Sequence, residues 1–162
     1  VKIELKSFVT NKAFSQETLC FRAVVCLDDK RAGTVKNDGH GGSNFVRIDD
    51  PSLQAAMERF IVALPPERSE YGELKMTVDL YFSLLADAEE KRRDQKREAA
   101  RRAKFSKQCR QKSQIPLAIT LACGATNYQY LVGMLAGEHP SAWVTKLSKK
   151  HPGAAVKEVV EL

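Results

Sequence analysis

Asp50-Pro51-Ser52-Leu53-Gln54-Ala55-Ala56-Met57-Glu58-Arg59-Phe60-Ile61-Val62-Ala63-Leu64 reads as a helix from end to end. Asp50 suits the N-cap, where a carboxylate accepts the orphan N–H groups of the first turn. Pro51 suits the first helical position, where its missing N–H costs nothing. Ala56, Met57, Phe60, Ile61 and Leu64 follow Leu53 at intervals of 3, 4, 7, 8 and 11, the spacing of one buried stripe. Pro65-Pro66 then ends the helix. A helix with one apolar stripe needs an apolar surface to cover, and the residues before it supply one.

Those residues read as strands. Ile3, Leu5 and Phe8–Val9 suggest a short first strand, and Glu17 to Leu27 (ETLCFRAVVCL) is rich in β-formers. Alternation puts Cys20, Arg22, Val24 and Cys26 on one side, with the two cysteines as small core residues. Asp28-Asp29-Lys30 makes a polar turn into Arg31–Lys36. Asn37-Asp38-Gly39-His40-Gly41-Gly42 is a tight loop that leads into a strand from Asn44 to Ile48.

Beyond Gly72 a long helix begins near Leu74 or Met76 and runs to Lys112. Its first part, Val78 to Ala88, is apolar enough to require packing. Ile115–Cys123 and Tyr128–Leu135 read as a strand pair, with Pro116 at the strand start where its lost donor matters least. His139-Pro140-Ser141 opens a short helix that turns Trp143, Val144 and Leu147 inward. Ala155–Leu162 fits a strand better than a helix. The expectation is one α+β domain over residues 1–162: a β-rich part with a helix (1–66), a long helix (74–112) and a C-terminal hairpin-and-helix sub-lobe (113–162). An antiparallel sheet would pack against the amphipathic helix and the long, partly basic one.

The chain has 162 residues, 43% hydrophobic and 28% charged, within the range of globular domains. No apolar run approaches the roughly 18 residues of a membrane span. The lysine-dotted N-terminus has no apolar signal core, which suggests a cytoplasmic protein. Cys20, Cys26, Cys109 and Cys123 have no Cys-x-x-Cys spacing and read as free thiols.

The charge is the most informative feature. Glu89 to Lys112 holds 11 Lys or Arg against 4 Asp or Glu, a surplus larger than the net +6 of the whole chain. On a helix Arg93, Arg97, Arg101 and Lys104 share a face, with Leu85, Ala88, Ala99 and Ala103 roughly opposite. Arg102, Lys107 and Arg110 add to the set. These seven residues are candidate phosphate contacts to DNA or RNA without sequence readout, since guanidinium forks match phosphate oxygens. The alternatives are an acidic surface on a partner protein, or a plain solvated face. Aromatic residues are sparse in this segment (Phe105 alone), which disfavours base stacking by the helix.

Asn37, Gly39, His40, Gly41 and Gly42 form a candidate anion-binding loop, because successive glycine N–H groups can line a concave site. It lacks the strand-loop-helix setting of a P-loop, and hairpin geometry alone could require its glycines. His40, His139 and His151 have no metal-ligand spacing to each other or to the cysteines. No catalytic constellation, metal site or cofactor motif emerges, and the sequence is silent on oligomeric state.

Glu17-Thr18-Leu19-Cys20-Phe21, followed by Asn37-Asp38-Gly39-His40-Gly41-Gly42, resembles a group of small uncharacterised bacteriophage-encoded proteins. There a Glu-Thr-x-x-Phe strand, a turn and an Asn-Asp-Gly-x-Gly-Gly loop recur in this order. The similarity extends to Cys109-Arg110-Gln111-Lys112. It implies a phage or prophage origin, and with that the host-cell cytoplasm, and it implies no reaction; the acidic surface that competes for the basic helix would then belong to a host protein.

Overall fold

The computed structural model describes residues 1–70 and 72–162. The chain is α+β and divides into two compact units, Val1–Asp94 and Gln95–Leu162.

In the first unit, β1 (Ile3–Thr10), β2 (Phe21–Leu27), β3 (Lys30–Asn37) and β4 (Phe45–Ile48) form an antiparallel meander in chain order. The face of β2 that packs inward is Phe21, Ala23, Val25 and Leu27, all buried. This corrects the expected grouping: Arg22 is exposed and Cys20 and Val24 are only half-buried, although Cys26 is buried. Phe21, Val25 and Leu27 remove more apolar area from water than two thiols beside an arginine could, so their face wins. A register shift at Val25/Cys26 lets Cys26 be buried along with Leu27.

A second irregularity shapes β1. Ser7 takes φ 49°, the pairing slips between Lys6 and Val9, and Phe8 turns into the core. Asp28 and Asp29, at φ 47° and 66°, make the two-residue turn between β2 and β3. Both are left-handed, as the turns that match strand twist require, and Asp tolerates that region.

The helix α1 (Pro51–Val62) forms as read, with Asp50 Oδ1 accepting from Ser52 N at 2.7 Å and Leu53 N at 3.4 Å. Met57 and Ile61 are buried, while Leu53, in the first turn, stays exposed. The polar stretch after Pro66 contains a small hairpin, β5 (Glu67–Ser69) with β6 (Gly72–Leu74). The long helix α2 (Val78–Gln111) therefore starts later than expected, where Thr77 Oγ1 accepts from Leu80 N at 3.1 Å. Its Phe82 and Ala86 join the sheet and α1 in one core.

The second unit holds the rest of α2, β7 (Gln114–Cys123), β8 (Thr126–Leu135), α3 (Pro140–Ser148) and β9 (Ala155–Glu161). The sheet order is β8-β7-β9, all antiparallel, so the last segment is a strand. Leu117, Ile119 and Leu121 of β7 pack with Val132, Met134 and Leu147, and Trp143 and Val144 lean on the same cluster. Ala118 and Thr120, on the opposite face of β7, are buried too. Gly133 of β8 sits where a Cβ would crowd the Cys109 sulfur of α2 at 3.1 Å.

Asp50→Ala is expected to lower the urea midpoint at neutral pH. The Ser52 hydroxyl, then the backbone N–H groups, hold the Asp50 carboxyl below its usual range. A group depressed on folding stabilises above its unfolded pKa and loses that effect as pH falls through the folded value. The gap between parent and variant should therefore narrow in acid; an unchanged gap would mean the carboxylate is not the cap.

Candidate nucleic-acid interface

The part of α2 in the first unit has no excess of cations. Asp79, Asp87, Glu89, Glu90 and Asp94 outnumber Lys91, Arg92 and Arg93, and over Glu89–Asp94 the count is three against three. Arg92 grips Glu89 through Nε and Nη2, both at 2.8 Å. The Arg92 hydrogen bond holds the Glu89 carboxyl below its usual range. Lys12, just after β1, reaches Asp94 at 3.0 Å and Glu90 at 3.4 Å. Its ammonium pKa is raised, first by the Asp94 hydrogen bond. Thr10 Oγ1 donates to Glu90 at 3.1 Å.

Arg93 belongs to this packed part. It follows Phe82 and Ala86 at helical spacing, its guanidinium lies 5.4 Å from the Phe8 ring centroid, and its Nε is 3.6 Å from Glu89. Cation–π attraction and the ion pair give it a structural task.

The part of α2 in the second unit is different. Gln95 to Lys112 carries eight Lys or Arg against Glu98 alone. Glu98 takes Arg102 Nε at 3.0 Å and Arg101 Nε at 3.7 Å. The packed stripe here is Arg102, Phe105, Ser106 and Cys109, while Arg97, Arg101 and Lys104, which continue the spacing from Arg93, are exposed. The expected flank of Leu85, Ala88, Ala99 and Ala103 is not a packed one: the three alanines are exposed and Leu85 is half-buried. Lys104, Lys107 and Arg110 are exposed and in no ion pair among the described residues. Lys107 and Arg110 border a shallow groove with Arg102 and Ser106, where Ser106 Oγ donates to Leu162 O at 3.2 Å. The seven helix candidates thus separate: Arg93 packs on Phe8, Arg101 and Arg102 share Glu98, and Arg97, Lys104, Lys107 and Arg110 lie on the exposed side. What sequence reading missed was the change of packed side, which depends on two cores, and Lys12 as a partner, which is 82 residues from Asp94.

In the Asn37–Gly42 loop the polar groups are turned on each other. The Asn37 side chain accepts from Gly39 N at 2.8 Å and Thr18 Oγ1 at 2.9 Å. It donates to Gly42 O at 2.9 Å and Asn44 Oδ1 at 3.2 Å. Gly41 N donates to Thr18 Oγ1 at 3.3 Å and His40 N to Asp38 Oδ1 at 3.4 Å. Gly39 O accepts from Gln16 N and Glu17 N at 3.0 and 3.1 Å. A Cβ at Gly39, which has φ 89°, would overlap Phe14 O; one at Gly41, φ 81°, would overlap the Glu17 carboxylate. These amides knit residues 11–20 onto the end of the sheet, and an incoming anion would have to displace those bonds.

His40 is exposed, with Nδ1 3.2 Å from Gln16 Oε1. His139 caps α3 through Ser141 N. His151 stacks on Tyr128 and hydrogen-bonds the Tyr130 hydroxyl. Among the described residues no three His, Cys, Asp or Glu converge as a metal group, the four cysteines are unpaired, and no helix is long and apolar enough to cross a membrane. The chain matches no protein-family model, no curated protein and no solved structure.

Arg93→Gln is expected to lower stability by about 1 kcal/mol through loss of the Phe8 contact. Lys104→Gln should leave the urea midpoint within error of the parent. Equal midpoints for both variants would remove the structural role assigned to Arg93.

Proposed function

We propose that the chain acts by binding rather than catalysis, and that it holds nucleic acid through phosphate contacts from the Gln95–Lys112 half of α2 without reading base sequence. One observation carries this: Lys104, Lys107 and Arg110 project from a segment whose one acid is already shared between Arg101 and Arg102. Cations left uncompensated on a rigid helix repel each other until counterions or a polyanion screen them, and displacing those counterions drives binding. Arg97 and Arg101 extend the same exposed side. Backbone contacts of this type position a protein on DNA or RNA and leave sequence unread.

The proposal includes a phage-type accessory protein working in the host cytoplasm, which rests on the resemblance around Glu17–Phe21 and Asn37–Gly42. In that loop Asn37, Gly39 and Gly41 each have a structural task, so a recurring pattern there would report a shared fold. An acidic protein surface is the competing partner for the same cations.

Binding to a duplex should weaken steeply with salt. Changing Lys104, Lys107 and Arg110 together to Gln should lower the slope of log Kobs against log salt by about 0.9 per contact removed. No binding at low salt, or an unchanged slope, would overturn the reading. Capture of a host protein that persists after nuclease treatment would favour the acidic partner.

A further inference from the structure

The choice of face in β2 leaves an unusual surface on the other side of the first sheet. The pairing aligns Val9, Arg22, Lys36 and Phe45 in one row across β1 to β4. The next row on that side is Lys6, Val24, Thr34 and Arg47. The two rows hold four cations and no acid. Lys6 has a distant ion pair with Asp29 at 3.9 Å, whereas Arg22, Lys36 and Arg47 are in none among the described residues.

Two features of the first row are costly for an isolated protein. Arg22 and Lys36 stand directly opposite on neighbouring strands, a like-charge pairing that destabilises a sheet. Phe45 is 75% exposed, the most exposed of the large hydrophobic side chains among the described residues. Both border a cavity of about 570 Å³, a size typical of small-ligand clefts, walled by Val9 on one side and by Asp38 at the loop end. Lys36 Nζ lies over the Phe45 ring, 5.5 Å from its centroid, a cation–π contact on one face that a stacking base would displace or leave in place by using the other face of this largely exposed ring.

We propose that this face is a second nucleic-acid site, which takes a single strand by stacking a base on Phe45 and holding its phosphates on Arg22, Lys36 and Arg47. An open aromatic face beside uncompensated cations on a sheet is the combination that unpaired bases need: π-surface for the base, positive charge for the backbone. The rows are two residues apart along β2, β3 and β4, about 7 Å, a step an extended sugar-phosphate chain can follow. A duplex keeps its base faces stacked internally and cannot use Phe45. Asp38, whose Oδ1 has a 3.4 Å bond to His40 N, can accept from an exocyclic amino group at the loop end. The site lies wholly in the first unit and does not depend on the helix cations.

The test uses the full chain with Arg97, Arg101, Lys104, Lys107 and Arg110 changed to Gln, which silences the helix by removing the exposed cations of its proposed site. Fluorescence anisotropy then follows a labelled single strand of about ten nucleotides. A hairpin duplex, a mononucleotide and an oligoglutamate serve as competitors. The single strand should bind, and Phe45→Ala should weaken it about tenfold. Arg22→Gln with Lys36→Gln should weaken it further, and Phe45→Trp should preserve it, with indole emission quenched on binding. All three positions are exposed, so no variant should melt below the parent, and the Arg22→Gln, Lys36→Gln variant should melt slightly higher because the like-charge pairing is gone. The proposal is overturned if the helix-silenced chain binds no single strand, or if Phe45→Ala binds like its parent. It is equally overturned if duplex, mononucleotide or oligoglutamate competes as well as the single strand.

Discussion

Strand β2 can bury one side of its alternation, and burying Phe21, Ala23, Val25 and Leu27 commits the rest of the first unit. Because side chains alternate with a period of two, that choice sends Arg22 outward, and pairing then carries Lys36 and Phe45 to the same side. The same choice requires the β1 bulge. Without the slip at Ser7, Phe8 would leave the core, where it is 2% exposed and contacts the Phe21 ring at 5.5 Å. A fully buried phenyl ring is worth on the order of 2–3 kcal/mol, more than an irregular ladder position costs. The bulge, the open outer face and the packed inner face are consequences of one decision.

Charge is divided as unevenly as apolar area. Residues 1–94 hold 14 Lys or Arg and 16 Asp or Glu, whereas residues 95–162 hold 12 and 4. In the first unit, acids on α2 are matched by Lys12 as well as by their helical neighbours. In the second unit nothing comparable exists for Lys104, Lys107 or Arg110 among the described residues. Exposed ion pairs add little to stability, so the uncompensated cations cost the fold little and remain available to a partner.

Most elements were legible because each had a local mark. Asp50-Pro51 and Pro65-Pro66 bracket α1, Pro116 begins the buried run of β7, and His139-Pro140 starts α3. Face and start were less legible because they depend on contacts distant in sequence. Cys20 to Cys26 alternates on both sides, and the larger apolar area of Phe21, Val25 and Leu27, against a side that carries Arg22, selects the face. The start of α2 moved to Val78, after the Thr77 cap, because Leu74 pairs with Glu67 in the β5–β6 hairpin, a partner seven residues away. For the helix site the composition was visible, but the distinction between Arg93, which packs, and Lys104, which does not, needed two cores on one helix. The row Arg22–Lys36–Phe45 was invisible, since cross-strand neighbours share no sequence spacing until the register is known.

The two surfaces would also respond differently to their surroundings, for physical reasons. The helix contributes charge alone, so its attraction is set by released counterions and fades as salt rises. Phe45 contributes stacking, which depends on contact area and dispersion and is largely indifferent to salt. A strand stacked on Phe45 would keep its aromatic contact under salt conditions that weaken attraction to the helix. The near-neutral first unit is suited to that task, because a base stacked there meets little long-range repulsion or attraction beyond Arg22, Lys36 and Arg47. On the two proposals, the helix cations would supply long-range attraction and Phe45 would supply stacking, each within its own unit.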